Sequence, residues 1–283
     1  MQIQSPAARM GLKDKLREMQ CANSALLATN FYNYETLRGI LNAAVEAGSP
    51  VILQLTKSSI DYIGLNTAVK MARAALQEYN VEGWIHLDHA GSYELVHRCL
   101  DAGFDSVMID ASELPLHENI AITRKVVELA AGYQAQVEAE LGYVAKLGQS
   151  KEIKGFTEPA EASYFVKETG VDSLAVAIGS AHGFYVDKPK LDLERLQQIQ
   201  EITDVCLVLH GGSGIPSDTL KKAIRKGICK INLATEIKNI FMLSLQKNLQ
   251  NNTEIDLRIV FPPAISAISG LVKNKLEIVS KGE

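Results

Sequence analysis

Eight short apolar runs alternate with eight longer segments of helical spacing, and no low-complexity stretch interrupts the series. Together these features predict an α/β chain folded as a single (β/α)8 TIM barrel over residues 1–283, with an N-terminal helix and an extra C-terminal helix. A doubly wound open sheet is the competing architecture. The absence of a GxGxxG fingerprint after the first strand weighs against it. A length of 283 residues suits two average domains or one barrel, and 47% hydrophobic residues suffice for a full core.

The elements follow in order. Residues 8–19 carry Met10, Leu12, Leu16 and Met19 on one helical face. Buried parallel strands are predicted at 25–29, 50–55, 83–87, 106–109, 135–139, 173–178, 205–209 and 230–233, each a short apolar run bounded by turn signals. Helices are predicted at about 34–47, 61–79, 92–102, 117–131, 159–169, 191–201, 217–226 and 235–249, and a final one at about 263–277. Gly103 and Gly170 supply stops just before the next strand.

The formal net charge of −4 gives no reason to expect a nucleic-acid or membrane partner. No apolar run approaches the roughly 20 residues of a membrane span, and the first ten residues contain no apolar signal region. Cys21, Cys99, Cys206 and Cys229 are far apart in sequence without a CxxC pair. That spacing fits a reducing compartment and argues against a disulfide framework or a thiolate zinc site. A cytoplasmic protein is expected.

In such a barrel the reactive side chains stand at the C-terminal strand ends. Those ends carry Asn30; Gln54 with Thr56 and Lys57; Asp88 and His89; Asp110; Glu138 and Glu140; His182 with Gly183; His210 with Gly211, Gly212, Ser213 and Gly214; and Asn232 with Thr235. Asp88 beside His89 suits an acid/base group next to a metal ligand, or equally a pair capping the next helix. His89, His182 and His210 fall at strand ends 3, 6 and 7. Three imidazoles converging on a barrel mouth can hold Zn²⁺ and leave a position open for substrate. The glycine run 211–214 opens a helix, so its backbone N–H groups suit a phosphate, and Ser213 and Thr235 add hydroxyl donors. His86 is expected to be a packed or supporting residue, and His97 and His117 lie on predicted helices.

These blocks, with Pro189-Lys190-Leu191-Asp192 and Cys229-Lys230-Ile231-Asn232 among them, resemble the class II fructose-bisphosphate/tagatose-bisphosphate aldolase family over nearly the whole chain. The resemblance implies that His89, His182 and His210 bind the catalytic Zn²⁺, with Asp110 and Glu140 at a second or resting metal position. It implies that Asp88 exchanges the C4 hydroxyl proton. Gly183, Gly211, Gly212, Ser213 and Thr235 would hold the phosphate of dihydroxyacetone phosphate, and Asn30 and Asn232 would bind substrate. A homodimer or homotetramer is implied, and in some members a monovalent cation, Na⁺ or K⁺.

Three departures concern the other half of the substrate. The lid after Gly142 lacks the family's paired glycines and acidic pair, with Glu152 as the stand-in. Thr56 and Lys57 replace the usual small-residue turn after strand 2. Asp256-Leu257-Arg258 resembles an Asp-Pro-Arg whose arginine reaches the distal anion from a neighbouring subunit. The aldehyde product is therefore expected to carry a distal anion: glyceraldehyde 3-phosphate from a fructose or tagatose 1,6-bisphosphate, or sulfolactaldehyde from 6-deoxy-6-sulfofructose 1-phosphate. The rivals are a Schiff-base aldolase, which needs a lysine absent from 173–178, a non-catalytic zinc-binding relative, and a sugar-phosphate isomerase or epimerase.

Overall fold

The structure, a computed structural model, describes residues 10–146, 155–183, 185, 189–250 and 252–280. Eight parallel strands close into a barrel: β1 Leu26–Asn30, β2 Val51–Thr56, β3 Gly83–Ala90, β4 Ser106–Ile109, β5 Gln136–Leu141, β6 Ser173–Val176, β7 Cys206–Leu209 and β8 Ile228–Leu233. Each pairs with the next, and β8 returns to β1 with Leu26 opposite Lys230. This closure excludes the open sheet.

Helices wrap the barrel: α1 Leu12–Cys21, α2 Tyr34–Ala47, α3 Lys57–Ile63, α4 Leu65–Glu78, α5 Tyr93–Asp101, α6 Leu116–Ala131, α7 Pro159–Thr169, α8 Leu193–Ile202, α9 Ser217–Arg225, α10 Thr235–Leu249, α11 Leu257–Val260 and α12 Pro262–Ser280. Their starts follow local chemistry. Asn33 and Thr36 form a reciprocal capping box on α2, and Thr56, Ser92 and Asp192 cap α3, α5 and α8 through their side chains.

The strand pleat sorts side chains to two sides. Leu27, Leu53, Ile85, Val107, Val137, Leu174, Leu207 and Ile231 join the core beneath the helices. The interior changes character from bottom to top. At the base Ala28, Ile52, Trp84 and Cys206 pack against Leu12 and Leu16, so α1 plugs the barrel. Above them lies a buried polar layer of Gln54, His86, Ser106, Gln136, Glu138, Ser173 and Lys230. It is held by His86 Nδ1 to Ser106 Oγ at 2.8 Å, Ser106 Oγ donating to Gln136 Oε1, and Gln136 Nε2 donating to Ser173 Oγ. The mouth follows, with Asp88, Asp110, Glu140, His210 and Asn232.

Three expectations change. The helix expected at 61–79 begins at Lys57 and breaks at Gly64, whose φ of +91° suits glycine. The third strand runs on through His89 to Ala90. Cys206 and Cys229, 23 residues apart, are joined as a disulfide, against the reading of separate thiols. The reason is topological: β7 and β8 are neighbours, and the two Cα atoms lie 6.0 Å apart, within the range a disulfide spans. No helix of the described residues is long and apolar enough to cross a membrane.

Candidate active site

Alternation along a strand would turn Asp88 and His89 to opposite faces. Here the register of β3 against β4 shifts between Leu87 and Ala90, and His89 adopts φ +55°. A side-chain-bearing residue in the left-handed region at a bulge is a strained arrangement, and it brings both side chains to the mouth. His182 ends the two-residue strand Ala181–His182, which pairs in parallel with Ala145–Lys146 beyond the barrel rim. His210 follows β7 directly and is fully buried.

The three imidazoles meet, with ring centroids 4.7 to 5.7 Å apart. One nitrogen from each lies within 4.8 Å of the others. His89 Nδ1 faces Asp110 Oδ2 at 2.8 Å, and His210 Nε2 faces Glu138 Oε1 at 2.8 Å. With protons on those outer nitrogens, the inner ones, His89 Nε2 and His210 Nδ1, turn lone pairs toward each other across 2.9 Å. Glu140 Oε2 is buried without a hydrogen-bond partner, 3.7 Å from His210 Nδ1. A divalent metal that displaces the protons of His89 and Glu140 would meet converging imidazole lone pairs and a carboxylate oxygen, so the donor set fits such an ion. His89, Asp110 and Glu140 form a second overlapping group of the same kind.

Charge in the site is strongly redistributed. Burial pushes Glu140 up to about 8, helped by the negative charge of Asp110. Burial opposes protonation of His89, but the Asp110 hydrogen bond and the charges of Asp88 and Glu140 prevail and raise it to about 9. Burial, with the positive charges of His89 and Lys230, holds His210 well below the ordinary imidazole value. Burial alone would raise Asp88; His89, His210, the Asn30 amide and Lys230 outweigh it and lower the carboxyl. Asp88 Oδ2 accepts from Asn30 Nδ2 at 2.9 Å, and Oδ1 lies 3.4 Å from Asn232 Nδ2.

One cleft is lined by Asn30, Asp88, His182, Gly183, Gly211, Ser213, Asn232, Ala234 and Thr235. It thus holds the Asp88 carboxylate and the His182 imidazole beside glycines and the hydroxyls of Ser213 and Thr235, where α10 begins. The N-cap residue of that helix, Ala234, makes no side-chain bond, and Ser213 Oγ accepts from the Glu236 N–H at 3.3 Å, which leaves the Ser213 and Thr235 hydroxyls to donate to an anion at the helix start. Gly211 has φ +68°, and an added Cβ would strike the Ala181 carbonyl oxygen. Gly211→Ala is expected to lose about 1–3 kcal/mol of stability and to raise KM for a phosphorylated substrate. Urea unfolding and initial rates check both, and wild-type values for the variant contradict the tight approach.

Other expected residues stand off the cleft. Gly212 donates its N–H to Asn232 O at 3.1 Å and supports the wall from behind. Thr56 caps α3 and lies in register with Asp88. Lys57 is exposed and paired with Asp61 at 2.5 Å. Arg258 is exposed and holds Asp256 with two nitrogens. Glu152 lies outside the described residues. His86 is buried in the polar layer, whereas His97 and His117 stand on helices with exposed rings.

Sequence reasoning names Glu138 and Lys230 but gives neither a role, and it misses Tyr185. Glu138 and Lys230 sit two residues before Glu140 and Asn232 and therefore on the same inward face, which was the available signal. Tyr185 Oη accepts from Ala181 N and donates to Gly211 O, pinning the His182 segment to the glycine loop.

A family model described as fructose-bisphosphate aldolase class-II matches residues 10–283. The YdjI aldolase from Escherichia coli K12 is similar at 32% identity with a TM-score of 0.85, over 95% of this chain and 96% of that one. A putative fructose-1,6-biphosphate aldolase from Coccidioides immitis is similar at 28% identity with a TM-score of 0.87, over the same shares. The fructose-bisphosphate aldolase of Campylobacter jejuni, 22% identical over 95% and 93%, shares the fold with a TM-score of 0.80. The closed barrel and a match spanning nearly every residue carry one conclusion: the chain belongs to the class-II fructose-bisphosphate aldolase family.

Proposed function

We propose that the protein is a zinc-dependent aldolase that reversibly cleaves the C3–C4 bond of a ketose 1-phosphate, giving dihydroxyacetone phosphate and an aldehyde with a distal anion. The observation that supports this best is the placing of a buried, acidified Asp88 beside three convergent imidazoles, at a cleft walled by glycines and the Ser213 and Thr235 hydroxyls. Three imidazole ligands suit Zn²⁺ with one position left for substrate. When bound, the ion supplies Lewis-acid stabilisation of negative charge on the substrate's C2 and C3 oxygens.

The protein's own groups do the rest. Asp88 accepts the C4 hydroxyl proton. The C3–C4 pair then flows toward the C2 carbonyl as the aldehyde departs. Asn30 and Asn232 hold Asp88 in place, so its free lone pair is aimed into the cleft. The Ser213 and Thr235 hydroxyls at the start of α10 bind the C1 phosphate, which fixes the ketose in register for cleavage.

The distal anion would be met by cations near the rim. Lys57 begins α3 at the mouth, and Arg258 is exposed on α11, where it could serve a neighbouring subunit of a homo-oligomer. Substrates of the fructose or tagatose 1,6-bisphosphate type and of the 6-deoxy-6-sulfofructose 1-phosphate type both fit. Initial rates with ketose 1-phosphates differing only at C6 test this, with dihydroxyacetone phosphate as readout. The expected result is dihydroxyacetone phosphate release with preference for an anionic C6 group. Conversion without its release would establish an isomerase instead. The barrel does contain an interior lysine, Lys230, but it is ion-paired to Glu138 and does not line the cleft. Borohydride should therefore trap no substrate on the protein.

A further inference from the structure

The polar layer beneath the mouth contains an ion pair that the reaction does not use. Lys230 on β8 is 1% exposed and Glu138 on β5 is fully buried; Lys230 Nζ lies 2.8 Å from Glu138 Oε2. With its amide oriented to match the donors and acceptors around it, Gln54 sets its oxygen 3.3 Å from the same ammonium. A buried pair of this kind contributes little net stability against an apolar replacement, so its presence asks for another reason. The other carboxylate oxygen, Glu138 Oε1, points at His210 Nε2 from 2.8 Å.

Two groups compete for that nitrogen. The Glu138 carboxylate can only accept, so it requires a proton on Nε2. Asn232 Nδ2 lies 3.1 Å from the same nitrogen and could donate only if Nε2 were bare. In that second arrangement the proton moves to Nδ1, where it points at His89 Nε2 and blocks the ligand lone pair. A charged acceptor at the shorter distance outcompetes a neutral donor at the longer one. Asn232 Nδ2 keeps Asp88 Oδ1 as an alternative acceptor.

We propose that Glu138, anchored by Lys230, is a positioning residue that fixes His210 with its proton on Nε2 and its Nδ1 lone pair toward the metal site, and that this pair sets the affinity for the divalent ion. This rests on reading the three histidines as metal ligands. Glu138 touches neither the cleft nor substrate; it acts through His210. A carboxylate behind a ligating imidazole is typically worth 10–100-fold in metal affinity. Lys230 matters because a carboxylate buried at that depth without its cation would no longer be held as an acceptor at this position.

The experiment measures Zn²⁺ affinity by chelator competition on folded full-length protein, for wild type, Glu138→Gln and Ser106→Ala. Ser106→Ala breaks the same polar layer at His86 and leaves the His210 contact alone. The expected result is a loss of about 10–100-fold for Glu138→Gln and near-wild-type affinity for Ser106→Ala. Equal affinity for wild type and Glu138→Gln overturns the proposal. So does an equal loss in both variants, since that is general loosening of the layer. Long-range proton–nitrogen spectra of the histidine rings in zinc-loaded wild type give an independent readout should Glu138→Gln not fold. A proton on His210 Nε2 supports the proposal, and a proton on Nδ1 overturns it. Wild type that binds no Zn²⁺ removes the metal-site reading itself, whereas intact wild-type binding with an unaffected variant removes only the role of Glu138.

Discussion

Asp88→Ala should turn over about 10²–10⁴-fold more slowly than wild type while keeping its full complement of metal. The size of the effect is that of losing general-base help at the bond-breaking step. Metal retention follows from the ligand sets, neither of which includes Asp88. Asp88→Asn is the sharper companion, because it keeps the side chain's shape and one acceptor oxygen for Asn30, at the loss of the longer contact from Asn232, but cannot accept the C4 proton. KM should change little in either variant, since the Ser213 and Thr235 hydroxyls proposed to hold the phosphate are untouched. The pair of measurements is metal content by elemental analysis and kcat for cleavage. Unchanged turnover in Asp88→Asn removes Asp88 from the role of base, and a turnover loss that tracks metal loss shows that it acts as a ligand.

The architecture could be read from the chain because parallel barrel strands are buried on both faces and therefore appear as continuous apolar runs. The three histidines were readable for a related reason: in a barrel, the residue just past a strand end points to one shared mouth. Most of what escaped depends on neighbours far along the chain. Glu138 and Lys230 are 92 residues apart and look like polar interruptions in two short strands; only barrel closure makes them partners. Cys206 and Cys229 are linked for the same reason. Gly64 was passed over because apolar spacing continues across it from Ile63 to Leu65, so the periodic signal did not register the turn that its positive φ creates. The direction of His89 depends on a register shift between β3 and β4, which no single strand encodes. Lys57 and Arg258 were singled out by chemistry alone, and in one chain both are exposed beside their own aspartates.

Removing the divalent ion with a chelator should abolish cleavage, and the ion should bind more tightly as pH rises toward about 9. Without metal, His89 is held up to about 9: burial resists its charge, but Asp110, Asp88 and Glu140 together overcome that resistance. Glu140 is held up to about 8 by burial and by the charge of Asp110. Below these values a metal must displace the proton on His89, and at the second position that on Glu140. Each displaced proton makes the apparent affinity rise about tenfold per pH unit. The same groups set the stability of the metal-free fold. His89 has a folded value above its ordinary 6.5, so its contribution is complete below that pH and is lost as pH rises through about 9. Glu140 has a folded value above its ordinary 4.5, so it too weakens the metal-free fold as pH climbs from there through about 8. Metal-free protein should therefore melt at a lower temperature at pH 9 than at pH 6, and the rise in Tm on adding Zn²⁺ should be larger at pH 9. Thermal scans at the two pH values, with and without the ion, read both effects. A Tm increment that does not grow with pH would mean that no proton leaves when the metal enters, and the charged network around His89 would then have to be arranged differently.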